Sequence, residues 1–145
     1  MKLVMIRMEV SHMQEILENQ PEIAKHISEE QIGMLAANKY SHSIVDVFGR
    51  VIAVGGIIEE WKGRGRAWAI LDQQSRQYFL AIHKKVKKFL KDSGINRIEA
   101  DVDCEFEQGH RWVELLGFKL ECESRTGFGP AGNDCSLYAL IKEII

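Results

Sequence analysis

The sequence lacks most of the features that mark secreted, metal-binding or membrane-spanning proteins. Its three cysteines are odd in number and far apart, and no two have the CxxC spacing of a metal or redox site (Cys104, Cys122 and Cys135). No apolar run approaches the roughly 20 residues that a membrane span needs. The opening segment, MKLVMIRMEV, soon becomes charged and has no small-residue cleavage site, which argues against a signal peptide. We therefore expect free thiols in a cytoplasmic protein without a metal site or a membrane span.

A strong excess of one charge is also missing. The 145 residues carry 19 Lys and Arg against 21 Asp and Glu, a formal net charge of −2 at pH 7. This balance does not favour nucleic acid as a partner, because phosphate binding needs local positive charge. Only two prolines occur, and no linker or repeat interrupts the chain, so a single domain over 1–145 is predicted.

Hydrophobic periodicity divides the chain into alternating strands and helices. It predicts strands at Leu3–Met8, Tyr40–Phe48, Val51–Trp61, Ala67–Asp72, Asn96–Asp103, Phe118–Glu123 and Leu137–Ile141. It predicts two short helices between an N-cap at Ser11 and Asn38, broken at Pro21, and further helices at Tyr78–Lys91 and Glu107–Leu116. The order β-α-α-β-β-β-α-β-α-β-β indicates an α/β fold with one mixed, mostly antiparallel sheet and helices on both faces. The strands on either side of the helix Tyr78–Lys91, the lysine-rich helix, should be parallel.

Glycine is absent between Gly65 and Gly94, a span that contains a predicted strand, a loop at Gln73–Gln77 and a helix start. The unpaired N–H groups and the dipole of a helix start favour an anion. Arg76 adds positive charge there, and Ser75 is a predicted helix cap. Without glycine, however, the backbone approaches a bound phosphate less closely.

Acidic residues alternate with apolar ones along the strand Asn96–Asp103. Glu99, Asp101 and Asp103 face one side, and Ile98, Ala100 and Val102 face the other. Three acids on an interior strand are costly to bury. Either they line a wet cleft, where one could act as a general base, or the strand lies at an open edge, where they are solvated or pair with the lysine-rich helix. Glu60 is a second candidate base, or an exposed acid at a hairpin end.

Three phrases resemble the GNAT superfamily of acyl-CoA-dependent N-acetyltransferases: VMIRMEVSHMQEI, VDVFGRVIAVGGII and HRWVELLGFKLE. The resemblance covers nearly the whole chain, and the last phrase, a short helix ending in Gly117-Phe118, is its most specific part. The stretch from Tyr40 through Gly55-Gly56, followed by a Trp-bearing strand and a lysine-rich helix, also resembles GNAT-like proteins of short-tailed phages.

The resemblance implies acetyl-CoA as co-substrate and an amine, on a small molecule or a protein, as acceptor. It assigns cofactor contacts to the end of the fourth strand and to the loop after it (Ala69, Ile70, Leu71, Ser75, Arg76, Gln77 and Tyr78). Asp101 and Glu60 are the candidate bases. The family's thiolate-protonating tyrosine falls on Val113, which cannot donate a proton, so His110, one turn earlier, becomes the candidate acid or base.

Two functions follow from this resemblance. One is an N-acetyltransferase. The other is a catalytically inactive GNAT-fold protein that acts through protein contacts, as a phage assembly or virion component in the host cytoplasm or the virion. Pairing of an exposed sheet end with a second copy would give a homo-oligomer. Nucleic-acid binding through the lysine-rich helix is a third, less favoured function.

Overall fold

The computed structural model describes residues 2–142, and its elements follow the predicted order with one addition. The strands are β1 Val4–Arg7, β2 His42–Val45, β3 Val51–Trp61, β4 Arg64–Leu71, β5 Arg97–Asp103, β6 Lys119–Arg125 and β7 Cys135–Ile141. The helices are α1 Val10–Leu17, α2 Pro21–Ala24, α3 Glu29–Ala37, α4 Phe79–Asp92 and α5 Glu107–Leu115, and a 3-10 turn at Ser75–Tyr78 leads into α4. The addition is the four-residue α2, which starts at a proline because the first turn of a helix needs no N–H from that position.

The strands form one sheet in the order β1-β2-β3-β4-β5-β7-β6. The pairs β1–β2, β2–β3, β5–β7 and β6–β7 are antiparallel. As predicted, β4 and β5 are parallel, with Arg64 opposite Arg97, Gly65 opposite Ile98 and Arg66 opposite Glu99. The predicted α/β class with a mixed, mostly antiparallel sheet is therefore confirmed.

The described chain divides into two compact units, which share the strands β3 and β4. The first unit contains residues 2–58 and 68–92, and the second contains residues 59–67 and 93–142. The core of the first unit forms where α1 presents Met13, Ile16 and Leu17 at helical spacing to Val54 and Ile70.

A close backbone approach in the first unit explains the glycine pair in the middle of β3. A Cβ added at Gly56 would lie 2.4 Å from the carbonyl oxygen of Tyr40, and one at Gly55 would lie 2.7 Å from that of Trp68. No side chain fits at such distances. The two glycines therefore allow neighbouring backbones to approach β3 closely.

The second unit has its own core around β5. Ile98 and Val102 are buried, as their alternation predicted, together with Val113 of α5 and Tyr138 of β7. The helix α5 ends at Leu115, and Gly117 follows the cap residue Leu116 with a φ of 101°, the left-handed conformation that is typical of the C′ position.

Two predictions about element ends were wrong. Ser11 is not the N-cap of α1, which begins at Val10, and Glu9 takes that place with its N–H donating to Nδ1 of His12 at 3.0 Å. The strand β4 starts three residues earlier than predicted, because Gly65 lies within the ladder to β5 instead of in the turn.

No helix within residues 2–142 is long and apolar enough to cross a membrane.

Candidate active site

The predicted phosphate loop lies in the first unit and is organised by Asp72. Its carboxylate Oδ2 accepts a hydrogen bond from the N–H of Gln74 at 3.0 Å, and its carbonyl accepts one from the N–H of Ser75 at 2.9 Å. Asp72 thus caps the turn. Because Asp72 closes the turn early, helical structure begins at Ser75 and not at Tyr78. The predicted cap role of Ser75 was wrong, since Gln74 is the N-cap residue and Ser75 is buried.

Two guanidinium groups belong to this loop region. Arg76 is exposed on the 3-10 turn, together with Gln77. Arg50 directly precedes β3, and its Nη1 donates to Oε1 of Gln74 at 2.5 Å. Nε of the same side chain lies 3.5 Å from Oδ2 of Asp46. Arg50 was not foreseen, because nothing local in the sequence connects the hairpin turn to Gln74.

The end of β4 supplies the other candidate cofactor contacts. Ala69 is exposed, whereas Ile70 is buried in the core, as alternation along a strand requires. The carbonyl of Leu71 accepts a hydrogen bond from Nε2 of Gln20 at 3.1 Å. The indole Nε1 of Trp68 is buried and has no hydrogen-bond partner among the described residues.

In the second unit, Glu99 is bound by two arginines. Arg64 donates from Nε and Nη2 to the two carboxylate oxygens, each at 2.8 Å, and Nε of Arg97 donates to Oε2 at 2.8 Å. Arg97 also pairs with Glu121. The hydrogen bonds from Arg64, reinforced by Arg97, lower the pKa of Glu99 to about 2 although burial opposes them. Glu99 is therefore a charged structural group at neutral pH.

Asp101 and Glu60, the two candidate bases, meet at one arginine. Arg66 Nε lies 3.4 Å from Oδ2 of Asp101, and its Nη2 lies 3.4 Å from Oε1 of Glu60. Nη2 of Arg125 pairs with the other oxygen of Asp101 and also donates to the carbonyl of Ser136 at 3.3 Å. The structure thus brings together Glu60 of β3 and Asp101 of β5, which are far apart in the sequence.

The reading of β5 as an open edge was wrong, because β5 pairs with β4 on one side and β7 on the other. Glu99 and Asp101 also pair with arginines, not with the lysines that the sequence suggested. Asp103, the third acid, accepts hydrogen bonds from the N–H of Glu105 at 2.9 Å and from Nδ2 of Asn133 at 2.7 Å. Asp103 therefore holds two loops in place.

His110 on α5 is hydrogen-bonded at both ring nitrogens. Nε2 lies 3.1 Å from the carbonyl of Cys104, and Nδ1 lies 2.8 Å from the hydroxyl of Tyr138. Because a carbonyl only accepts, Nε2 carries a proton and donates to the carbonyl of Cys104, while the Tyr138 hydroxyl is shared between Nδ1 and the carboxylate of Glu114. Burial, the largest cause, raises the pKa of Tyr138, so the phenol keeps its proton at neutral pH. Tyr138 was not among the predicted site residues, because a tyrosine on an apolar strand is usually a packing residue.

Val113 is buried beside this pair on the same helix, so it packs in the core. All the candidate cofactor residues lie in the first unit, and all the candidate catalytic residues lie in the second. Among the described residues, no group of three His, Cys, Asp or Glu is placed to hold a metal ion.

Comparison with known proteins finds similarity in structure alone. No family model matches the sequence, and no curated protein matches it. Ard1 from Thermoplasma volcanium superposes with a TM-score of 0.81 at 10% identity, covering 98% of this chain and 99% of that one. The ribosomal-protein-S18-alanine N-acetyltransferase from Escherichia coli gives 0.77 at 15% identity, covering 99% and 96%. A GNAT-family acetyltransferase from Bacillus anthracis gives 0.72 at 14% identity, covering 97% and 95%. The chain therefore has the fold of the GNAT acetyltransferases over nearly its whole length.

Proposed function

We propose that this protein is a GNAT-type N-acetyltransferase, which moves an acetyl group from acetyl-CoA to an amine. The main support is the match of almost the entire chain to acetyltransferase structures. A fold alone does not determine chemistry, so the proposal also depends on what the residues of each unit can do. Since acetyl-CoA is a soluble metabolite and the cysteines are free, the proposed location is the cytoplasm.

The first unit fits the charge of acetyl-CoA. Arg76 and Arg50 are cations beside the turn at Ser75–Tyr78, where the N–H groups of a helix start also favour phosphate. Ala69, Ile70 and Leu71 offer backbone groups to the pantetheine arm. Bound acetyl-CoA would supply an activated thioester to this site.

The second unit would supply the proton chemistry. In the proposal, Asp101 removes the proton from the attacking amine, and Arg125 holds its carboxylate in a fixed orientation. Glu60, which contacts Arg66 only at 3.4 Å, is the second candidate base. His110, hydrogen-bonded to Tyr138, is the candidate that returns a proton to the leaving thiolate.

The alternative is a catalytically inactive GNAT-fold protein that works through protein contacts, as in a phage assembly or virion component. Four observations favour it. The phosphate loop has no glycine, and the N–H of Gln74 already donates to Asp72. Val113 replaces a proton donor, and both nitrogens of His110 already have partners within the unit.

Titration with acetyl-CoA separates the two functions. A ligand present at 100 times its dissociation constant stabilises a protein by about 2.7 kcal/mol, which thermal unfolding detects readily. The proposal expects such a shift and the release of free CoA thiol when a panel of amines is added. An unchanged melting temperature at millimolar acetyl-CoA would support the inactive alternative.

A further inference from the structure

The charged side chains of the second unit include two balanced clusters, each with two arginines and two carboxylates. Arg64, Arg97, Glu99 and Glu121 form one cluster. Arg66, Arg125, Glu60 and Asp101 form the other. Each of these carboxylates already contacts an arginine, so a polycationic amine would have to break existing ion pairs to bind them.

Three of these four arginines donate hydrogen bonds to carboxylates. Arg64 binds Glu99 through two hydrogen bonds, and its guanidinium lies 4.4 Å from the ring centroid of Trp61. Arg97 is shared between two glutamates. Arg125 pairs with Asp101, and its guanidinium lies 3.7 Å from the ring centroid of Phe128.

Arg66 differs from these three. Both of its ion pairs are 3.4 Å long, and its Nε, like that of Arg125, is buried without a hydrogen bond to any described residue. Its side chain is nevertheless 39% exposed, more than that of the other three arginines. A guanidinium has five N–H donors in a planar fork that matches a carboxylate. Arg66 thus has donors to spare and solvent access, and it directly contacts the candidate base.

We infer that the acceptor substrate is a free amino acid, and that Arg66 binds its carboxylate while Asp101 takes the proton from its amine. This inference rests on the proposed acetyltransferase function. Because Arg66 contacts Asp101, a carboxylate on one and an amine at the other must be only a few bonds apart, as they are in an α-amino acid. The incoming carboxylate replaces Glu60 on Arg66, and Glu60, at the exposed end of β3, returns to solvent.

The test compares each of the common L-amino acids with its carboxamide at saturating acetyl-CoA, with thiol release as the readout. The amide keeps the amine and the side chain but loses the negative charge. We expect at least one amino acid to be acetylated with a KM about 10-fold or more below that of its amide, since a charge-assisted bidentate contact is lost in the amide. Spermidine serves as the polycationic comparison and should be a poor substrate.

Variants then assign the effect to Arg66. Arg66→Ala should raise the KM for the amino acid by about 10- to 100-fold and leave the KM for the amide nearly unchanged. Arg66→Lys should restore part of the difference, because it keeps the charge and loses the fork. Arg111→Ala, which removes a positive charge from the exposed face of α5, is the matched control and should change neither value.

The outcomes separate this inference from the function on which it rests. Equal KM values for acids and amides, or efficient acetylation of spermidine, would overturn the amino-acid assignment and leave the acetyltransferase intact. Failure to bind acetyl-CoA would overturn both. If Arg66→Ala does not fold, the comparison of acid and amide with the unaltered protein, together with Arg66→Lys, still decides the question.

Discussion

Arg64 binds Glu99 through two hydrogen bonds: Nε donates to Oε2 and Nη2 donates to Oε1, each at 2.8 Å. The two residues lie on adjacent parallel strands, near the point where the ladder of β4 and β5 begins. This fork holds a buried carboxylate on an interior strand, which is otherwise an expensive arrangement.

Replacing Glu99 should therefore destabilise the protein. Glu99→Gln keeps the shape and removes the charge, leaving Arg64 and Arg97 without their shared carboxylate. We expect a loss of about 2 kcal/mol in the free energy of unfolding, because charge-assisted hydrogen bonds contribute at that level and both arginines retain some solvent. Urea unfolding measures it. Glu105→Gln, at an exposed position, is the matched control and should lie within about 0.5 kcal/mol of the unaltered protein.

The same carboxylate predicts a specific pH dependence. The pKa of Glu99 is about 2 in the folded chain against 4.5 ordinarily, so the folded state binds this proton less readily than the unfolded state. Its stabilising contribution is fully present above pH 4.5 and is lost as the pH falls from 4.5 towards 2. Unfolding free energies measured across this range should fall less steeply for Glu99→Gln. Parallel curves for the two proteins would contradict the assignment.

Two glycines should respond in opposite ways to alanine. At Gly56 the new Cβ would lie 2.4 Å from a backbone oxygen, so the strand or the Tyr40 segment must move. We expect Gly56→Ala to cost about 3 kcal/mol or more, as overpacking against backbone does. At Gly33, inside α3, nothing lies within 4 Å of the added Cβ. Gly33→Ala should stabilise by up to about 1 kcal/mol through helix propensity. Thermal unfolding of both variants checks the pair.

The proposed base predicts a loss in turnover. Asp101→Asn keeps the shape of the side chain and removes its ability to accept a proton, so kcat should fall by about 100- to 10,000-fold with acetyl-CoA affinity unchanged. Glu60→Gln, tested beside it, decides between the two candidates. A large loss for Glu60→Gln with full activity for Asp101→Asn would transfer the role to Glu60.

His110 needs a separate test because it also joins α5 to β7 through Tyr138. His110→Gln retains hydrogen-bonding capacity and should lower kcat if the ring supplies a proton to the thiolate. Melting temperature measured in parallel identifies a purely structural role. A reduced melting temperature with normal turnover at low temperature would remove His110 from the chemistry.

The phosphate site predicts an effect on cofactor affinity alone. Arg76→Ala should weaken acetyl-CoA binding by about 10-fold, the usual size of one charge-assisted contact, with little change in stability because the side chain is exposed. Calorimetric titration measures it, with Arg111→Ala as the control of equal charge change. Unchanged affinity in Arg76→Ala would place the pyrophosphate elsewhere.

Local pattern was sufficient to predict the order and type of the main elements. The alternation of Ile98, Ala100 and Val102 identified the buried face of β5. This signal succeeds because side-chain periodicity is a property of a few consecutive residues. Element ends were less predictable, since capping by Glu9 and Asp72 depends on side-chain hydrogen bonds that several neighbouring residues could make.

The sequence alone therefore determined an α/β chain with the GNAT order of elements, an anion-favouring helix start and a row of acids on an interior strand. Tertiary structure alone decided which groups meet those acids. Arg64 and Glu99 are 35 residues apart, and His110 and Tyr138 are 28 apart. Such pairs are set by strand order and register, which depend on burial over the whole sheet and leave no periodic trace in the sequence.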